Sequence, residues 1–156
     1  MSLIQVSPAR PFIPALGAIE HALAPLALPM LRVTTGLLLV PHGAQKLFGW
    51  FGGYGVAATG QFFESTLGLP ASLALIAGII EFFGGLALAA GFLTRPIAAM
   101  VAGMMAVAVI QVHLPAGFFW TDGGYEYPVM WGIMALAFAF SGGGRFSIDA
   151  LTGREF

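Results

Sequence analysis

The sequence predicts an all-α integral membrane protein, a four-helix bundle with a short amphipathic helix in the loop on its outer side. Hydrophobic residues make up 58% of the 156 residues and charged residues only 8%, whereas about 25% of the residues in an average soluble domain are charged. Four apolar segments each approach the roughly 20 residues that a helix needs to cross a bilayer. Because they use most of the chain, we expect one membrane domain.

Prolines, glycines and charged residues set the expected boundaries of the four spans. The predicted spans are 26–48, 71–92, 97–114 and 125–140. A glycine-rich aromatic turn at 49–55 and an amphipathic helix over 56–67 connect the first two spans. The link at 93–96 is tight, so it forces the second and third spans into an antiparallel hairpin.

Residues 1–25 are interpreted as a separate N-terminal segment that precedes the membrane domain at 26–156. Three prolines within 8–14 oppose a continuous helix, and the stretch that follows places apolar residues on one side and Glu20 on the other. A short helix at the membrane interface and a mobile tail both fit this pattern. The segment lacks the features of a signal peptide, so we expect it to stay uncleaved.

Composition excludes several classes of function. The net charge is −1, with six basic and seven acidic residues, so no basic field is available for nucleic acid. Cysteine is absent, which removes disulfides, thiolate catalysis and iron–sulfur ligation by this chain alone. A redox role therefore needs a bound cofactor or a partner protein.

Basic residues are distributed unequally between the two ends of the predicted bundle. The end with both termini collects the five arginines, and Lys46 is the basic residue of the other end. Because basic residues favour the cytoplasm, both termini are placed there. All tryptophans and tyrosines then fall in the outer half, which indicates either a structured aromatic cap or a one-sided aromatic belt.

Polar residues of the first two spans define the centre of a candidate site. His42, Gln45 and Lys46 stand at i, i+3 and i+4, so they share a helix face that is unsuited to lipid. Glu81 lies near the middle of the second span, where a charged carboxylate costs about 2.5–3.5 kcal/mol. We therefore expect Glu81 to be neutral or paired. His42 and then Lys46 are the nearest partners by depth, and Arg32 approaches from the other side.

The hypothesis that follows is a polar funnel that opens outward and binds a quinone or a similar small molecule. The candidate catalytic residues, which would handle protons, are Glu81, His42 and Glu126. The candidate binding residues are His42, Gln45, Lys46, His113, Trp50 and Tyr125. A proton relay requires His42 to point into the bundle towards Glu81. The alternative is an interhelical contact that only fixes packing.

Histidines also raise the question of haem or metal. His42 and His113 could bind haem axially, or a metal with Glu126 as a third ligand. Because two histidines arise easily in a bundle, haem ranks below quinone as the cofactor, and no metal site is assigned. His21 is interpreted as a solvated or interfacial histidine.

Several motifs are similar to those of the DoxX family. The run PHGAQKLF at 41–48, with FGG at 51–53, resembles the family signature at the end of its first membrane helix. The other matching motifs are EFFGGL at 81–86 with GFLTR at 91–95, GYEYP at 124–128 and GRFSID at 144–149. The resemblance covers about 28–150 in the correct order.

The resemblance implies a four-helix protein of the bacterial inner membrane, whose family includes a membrane subunit of a thiosulfate:quinone oxidoreductase. It also implies an oxidoreductase complex linked to quinone, with a membrane or soluble redox partner beside the lipid bilayer. The family motif positions here are His42, Gln45, Lys46, Glu81, His113, Glu126, Arg145 and Asp149.

Two other functions stay open at this stage. A non-catalytic accessory or scaffold subunit is favoured by the small size, the absence of cysteine and a flat helix surface at Gly78, Gly84 and Gly85. A small transporter or channel is the third hypothesis, although the chain has no obvious internal repeat.

Overall fold

The computed structural model describes residues 11–154, and every regular element in that range is helical. The helices are α1 (Pro14–Phe48), α2 (Gly55–Leu67), α3 (Ser72–Ala90), α4 (Thr94–Ala116), α5 (Glu126–Ser141) and α6 (Ile148–Thr152). By length and composition, α1, α3 and α4 can each cross a membrane. The predicted all-α membrane class is confirmed, and α2 is the helix predicted between the first two spans.

The fourth bundle helix, α5, is shorter than the other three. It has 16 residues, or about 24 Å at 1.5 Å per residue, and packs along α4. Leu39 of α1 joins these helices in one buried cluster with Val101, Met105 and Ala135. A second buried cluster joins Leu88 of α3 to Ala98 and Phe138, so the bundle core lies between α1, α3, α4 and α5.

Glycines let α1 and α3 approach until their backbones touch. A Cβ atom added to Gly43 would collide with the backbone nitrogen of Phe82, and one added to Gly36 would collide with the carbonyl of Gly85. A Cβ atom on Gly78 would lie 3.3 Å from that of Lys46. The glycine surface predicted on the second span thus serves packing inside the bundle.

Two π-helical turns interrupt the membrane helices, Ile80–Gly84 in α3 and Val109–His113 in α4. Such turns are rare and frequently occur at functional sites. Each contains one of the predicted site residues, Glu81 and His113 respectively.

Helix α1 is longer than the predicted first span. It begins at Pro14 and passes residue 26 without interruption, with Pro25, Pro29 and Pro41 inside it. Its 35 residues exceed the roughly 20 that cross the hydrocarbon core. The expected break near residue 26 is therefore not present as a helix end. The interfacial position of 1–25 stays a prediction, and residues 1–10 lie outside the described range.

The last part of the described chain contains a short docked helix. Ser147 caps α6, because its hydroxyl oxygen accepts a hydrogen bond from the backbone N–H of Ala150 at 3.1 Å. Serine is a preferred residue at this position. The cap places Asp149 in the first turn of α6, facing the α3–α4 turn.

Candidate functional site

Lys46 of α1 and Glu81 of α3 form an ion pair between two membrane helices. The Lys46 Nζ atom lies 2.6 Å from Glu81 Oε2 and 2.9 Å from Oε1, so the ammonium donates to both carboxylate oxygens. The Glu81 side chain is 9% exposed and that of Lys46 is 25% exposed. Glu81 is therefore paired. Its partner is Lys46, which the sequence placed second after His42 in depth.

The predicted contact between His42 and Glu81 is not formed. His42 is exposed, and both hydrogen bonds to Glu81 within residues 11–154 come from Lys46. The rotation of α1 explains this difference, because Gly43 sits at the contact with α3 and each residue step turns a helix by about 100°. His42 consequently falls at the edge of the interface, whereas Lys46 reaches across it.

Three aromatic rings pack together on the segments that carry this ion pair. The Phe48 ring centroid lies 4.9 Å from that of Trp50 and 5.2 Å from that of Phe82, the second pair edge to face. Phe82 directly follows Glu81, and Phe48 stands two residues after Lys46. The ion pair and the aromatic cluster thus belong to the same two segments, the end of α1 and the π-helical turn of α3.

Gln45 holds the aromatic turn that follows α1. Its Nε2 atom donates a hydrogen bond to the carbonyl oxygen of Phe51 at 3.2 Å. Phe51 has a φ of 54°, a left-handed conformation that is costly for a residue with a side chain. Gly53 allows the close approach, since a Cβ atom there would collide with Gln45. Gln45 therefore stabilises the aromatic turn that follows α1.

His113 and Glu126 belong to a second polar group, around the loop between α4 and α5. The His113 Nδ1 atom lies 2.6 Å from the carbonyl oxygen of Gly123, so this ring nitrogen must carry the hydrogen. Glu126 Oε2 accepts a hydrogen bond from the backbone N–H of Trp120 at 3.2 Å. Both side chains hold the loop in place.

Aromatic contacts complete this second group. Trp120 and Tyr127 stack with ring centroids 5.2 Å apart, and Tyr125 meets Phe118 edge to face at 5.6 Å. In the described part of the chain, no hydrogen bond, ion pair or ring contact joins these residues to Lys46 and Glu81. The predicted site residues are thus held in two separate groups.

A metal site from His42, His113 and Glu126 is not formed. Across residues 11–154, no three His, Cys, Asp or Glu side chains come together in a way that could hold a metal ion. His113 and Glu126 are instead each bonded to the backbone of the α4–α5 loop.

A further polar group, which the sequence analysis did not assign to a site, lies at the opposite end of the bundle. The Asp149 carboxylate accepts hydrogen bonds from the backbone N–H groups of Leu93 at 2.8 Å and Thr94 at 2.9 Å. Arg32, only 2% exposed, donates from Nη2 to the Phe146 carbonyl oxygen at 2.7 Å. The signals were the motif GRFSID and an arginine inside an apolar span.

The charge state of Asp149 follows from these contacts. Burial opposes ionisation, but the N–H groups of Thr94 and Leu93 and the charge of Arg32 outweigh it and hold the pKa of Asp149 below its ordinary value. The carboxylate is therefore ionised at neutral pH. We name this arrangement of Arg32, Asp149 and the α3–α4 turn the tail lock.

Two open cavities lie at the tail-lock end. One of about 280 Å³ is lined by Ser141, Gly144, Ser147, Asp149, Ala150, Gly153 and Arg154. The other, of about 370 Å³, is lined by Leu26, Pro29, Met30, Val33, Thr34 and Phe146.

Comparison with known proteins places the chain in a family. The family model described as DoxX matches residues 27–114. The chain is 32% identical over 120 residues to "Putative oxidoreductase CatD" of Bacillus subtilis (strain 168), covering 77% of this chain and 82% of that protein. It is 30% identical over 129 residues to "Inner membrane protein YqjF" of Escherichia coli (strain K12), covering 80% and 91% respectively. No solved structure matches with significance. Because the family model covers more than half of the chain, the protein belongs to the DoxX family.

Proposed function

We propose that this protein is a quinone-linked redox subunit of the bacterial inner membrane, which binds a quinone head or a similar small molecule beside Lys46 and Glu81. The ion pair between α1 and α3 is the observation that carries the proposal. Charged residues inside a membrane are costly and mark functional sites by default. A partly exposed Lys46 is also accessible to a ligand.

The chemistry of the pair suits quinone reduction, which adds two electrons and two protons. The Lys46 ammonium would donate a hydrogen bond to one quinone oxygen and stabilise the negative charge that develops there. Glu81 would accept and release protons within the same hydrogen-bonded pair. Its position in a π-helical turn agrees with the frequent use of such turns at functional sites.

Neighbouring residues would have supporting roles. His42, exposed one turn before Lys46, would donate a hydrogen bond to a quinone oxygen. The rings of Phe48, Trp50 and Phe82 would supply apolar contacts to a quinone ring. Gln45 would keep the aromatic turn in place.

The second polar group would border the ligand. Under this proposal, His113 and Tyr125 contact the ligand at the outer edge and Glu126 handles protons there. Haem ligated by His42 and His113 is the weaker alternative for the cofactor.

Electrons would have to come from a membrane or soluble redox partner, because the chain has no cysteine. The name of the Bacillus subtilis relative supports a redox role, and that of the Escherichia coli relative supports the inner membrane. We propose a multi-pass topology with both termini in the cytoplasm, since the arginines collect at that end.

The proposal is tested by thermal unfolding of the detergent-purified protein with short-chain benzoquinones and naphthoquinones. A bound quinone stabilises the folded state by mass action, so the wild type should unfold at a higher temperature. Lys46→Gln and Glu81→Gln should remove this increase in unfolding temperature. His42→Ala should slow quinone reduction when an electron donor is supplied.

Glu64→Gln is the matched control, because Glu64 is an exposed carboxylate on α2. It should behave like the wild type. If no quinone shifts the unfolding temperature and all variants match Glu64→Gln, the quinone site is wrong. Unchanged activity of a purified complex containing these variants would then favour the accessory or scaffold function.

A further inference from the structure

We propose that the 370 Å³ groove between α1 and Phe146 binds one anionic phospholipid, with an acyl chain in the groove and the phosphate on Arg145. This proposal does not depend on the quinone site, which lies at the other end of α1. Five α1 residues and Phe146 line the groove, and they are apolar except for the hydroxyl of Thr34. It is an open groove at the surface of α1, not an enclosed cavity.

The wall formed by Phe146 is fixed in position. Its carbonyl oxygen accepts a hydrogen bond from the buried Arg32 at 2.7 Å. Gly144, two residues earlier, has a φ of 70° and lies against Leu28 of α1, so that an added Cβ atom would be 2.7 Å from the Leu28 Cδ2 atom. The tail therefore crosses α1 in one defined place, and the groove is preformed.

Arg145 supplies the charge that selects the headgroup. Its guanidinium carbon lies 4.9 Å from the Phe146 ring centroid, and the side chain is exposed. In the described part of the chain, no acidic side chain pairs with Arg145. An exposed cation above an apolar groove complements a lipid with a negative headgroup, and basic pockets beside membrane helices commonly bind such lipids.

The size of the groove argues for a lipid over a protein partner. Six residues line it, whereas a stable protein interface uses about 20–30 residues on each side. The groove is also open along one side, as an acyl chain that enters from the bilayer requires.

The test measures lipid retention by native mass spectrometry and thermal unfolding of the full chain in mild detergent. Phosphatidylglycerol and phosphatidylcholine with identical acyl chains are the two probes. We expect one phosphatidylglycerol to be retained and to raise the unfolding temperature, with a smaller effect of phosphatidylcholine. Arg145→Gln should weaken phosphatidylglycerol binding about five-fold, the effect of one arginine at a charged membrane surface.

Two matched controls distinguish the contribution of the lipid headgroup to binding from that of the groove. Arg154→Gln removes another exposed arginine from the same end and should leave binding unchanged. Val33→Phe fills the groove and should reduce retention, whereas Leu38→Phe, at an exposed α1 position outside the groove, should not. Equal retention of the two lipids, equal behaviour of the arginine variants, or equal behaviour of the phenylalanine variants would overturn the proposal. Preferential retention of an isoprenoid quinone would also overturn it.

Discussion

The Lys46–Glu81 pair and the tail lock both place a basic and an acidic side chain in an apolar bundle, but the charges have different partners. Lys46 Nζ meets the Glu81 carboxylate directly, at 2.6 and 2.9 Å. Asp149 instead bonds the backbone N–H groups of Leu93 and Thr94. Arg32 likewise donates to a backbone carbonyl.

The basic residues of the ion pair and of the tail lock also differ in their exposure. Arg32 is 2% exposed, and its Nε and Nη1 atoms have no hydrogen-bond partner among residues 11–154. Lys46 keeps a quarter of its side chain exposed. The charges of Arg32 and Asp149 therefore hold backbone groups in place, whereas Lys46 stays partly accessible at the protein surface.

Each end also stabilises one residue in the left-handed conformation. Leu93, with a φ of 49°, donates its N–H to Asp149, and Phe51, with a φ of 54°, accepts from Gln45. Such a conformation costs roughly 1–2 kcal/mol for a residue with a side chain. Side-chain hydrogen bonds therefore offset local strain at both ends.

The largest predicted effect comes from removing the acid of the tail lock. Asp149→Ala leaves the backbone N–H groups of Leu93 and Thr94 without their acceptor and removes the negative charge near Arg32, so we expect a loss of on the order of 3–5 kcal/mol in unfolding free energy. Chemical unfolding in detergent measures it. Asp122→Ala, at an exposed acid of the α4–α5 loop, is the control and should change little. Similar stability of the two variants would contradict the structural role of Asp149.

The next largest change in unfolding free energy is expected from alanine substitution at one of two glycines. Gly91→Ala should destabilise by about 2–4 kcal/mol, because Gly91 has a φ of 70° and an added Cβ atom would collide with Arg32 Nη1. Gly103→Ala, where nothing lies within 4 Å of the added atom, should stabilise α4 by about 0.5–1 kcal/mol. The same unfolding assay distinguishes the two variants. Equal changes in their unfolding free energy would show that Gly91 does not lie against Arg32.

The tail lock should also make stability depend on acid pH. The pKa of Asp149 is lowered in the folded protein. Its stabilisation is therefore present above the unfolded value of about 3.9 and is lost as pH falls through the folded value. Unfolding temperatures measured from neutral pH down to about 3 should fall more steeply for the wild type than for Asp149→Asn. Parallel curves would contradict this assignment.

The smallest effect is expected at the other end. Gln45→Ala removes the hydrogen bond to the Phe51 carbonyl and should cost about 0.5–1.5 kcal/mol. Faster hydrogen exchange should appear in the aromatic turn at 49–55. Gln61→Ala, an exposed glutamine of α2, is the comparison, and identical exchange in both variants would show that Gln45 does not hold the turn.

Much of the fold was predictable because apolar length alone identifies membrane helices. The spans at 71–92 and 97–114 differ from α3 and α4 by a few residues at their ends. The start of α1 was missed because the prolines within 8–14 were interpreted as opposing a continuous helix, whereas α1 begins at Pro14 and continues through Pro25 and Pro29.

The partners inside the site were less predictable. The ranking of His42 above Lys46 rested on depth, whereas the rotation of α1 depends on the contact between Gly43 and α3. The Asp149 carboxylate bonds backbone N–H groups 55 and 56 residues away in the sequence. Helical periodicity carries no information on such a contact. The Ser147 cap, by contrast, joins groups only three residues apart, but no helix was predicted there.

The most direct test of the contrast between the two ends is the Lys46→Gln/Glu81→Gln double variant. Because both charges are removed together, neither is left buried without a partner. We predict that the variant unfolds within a few degrees of the wild type but shows no quinone-induced rise in unfolding temperature. A stable variant that keeps the full quinone-induced rise would contradict the proposal that this pair is the functional end of the protein.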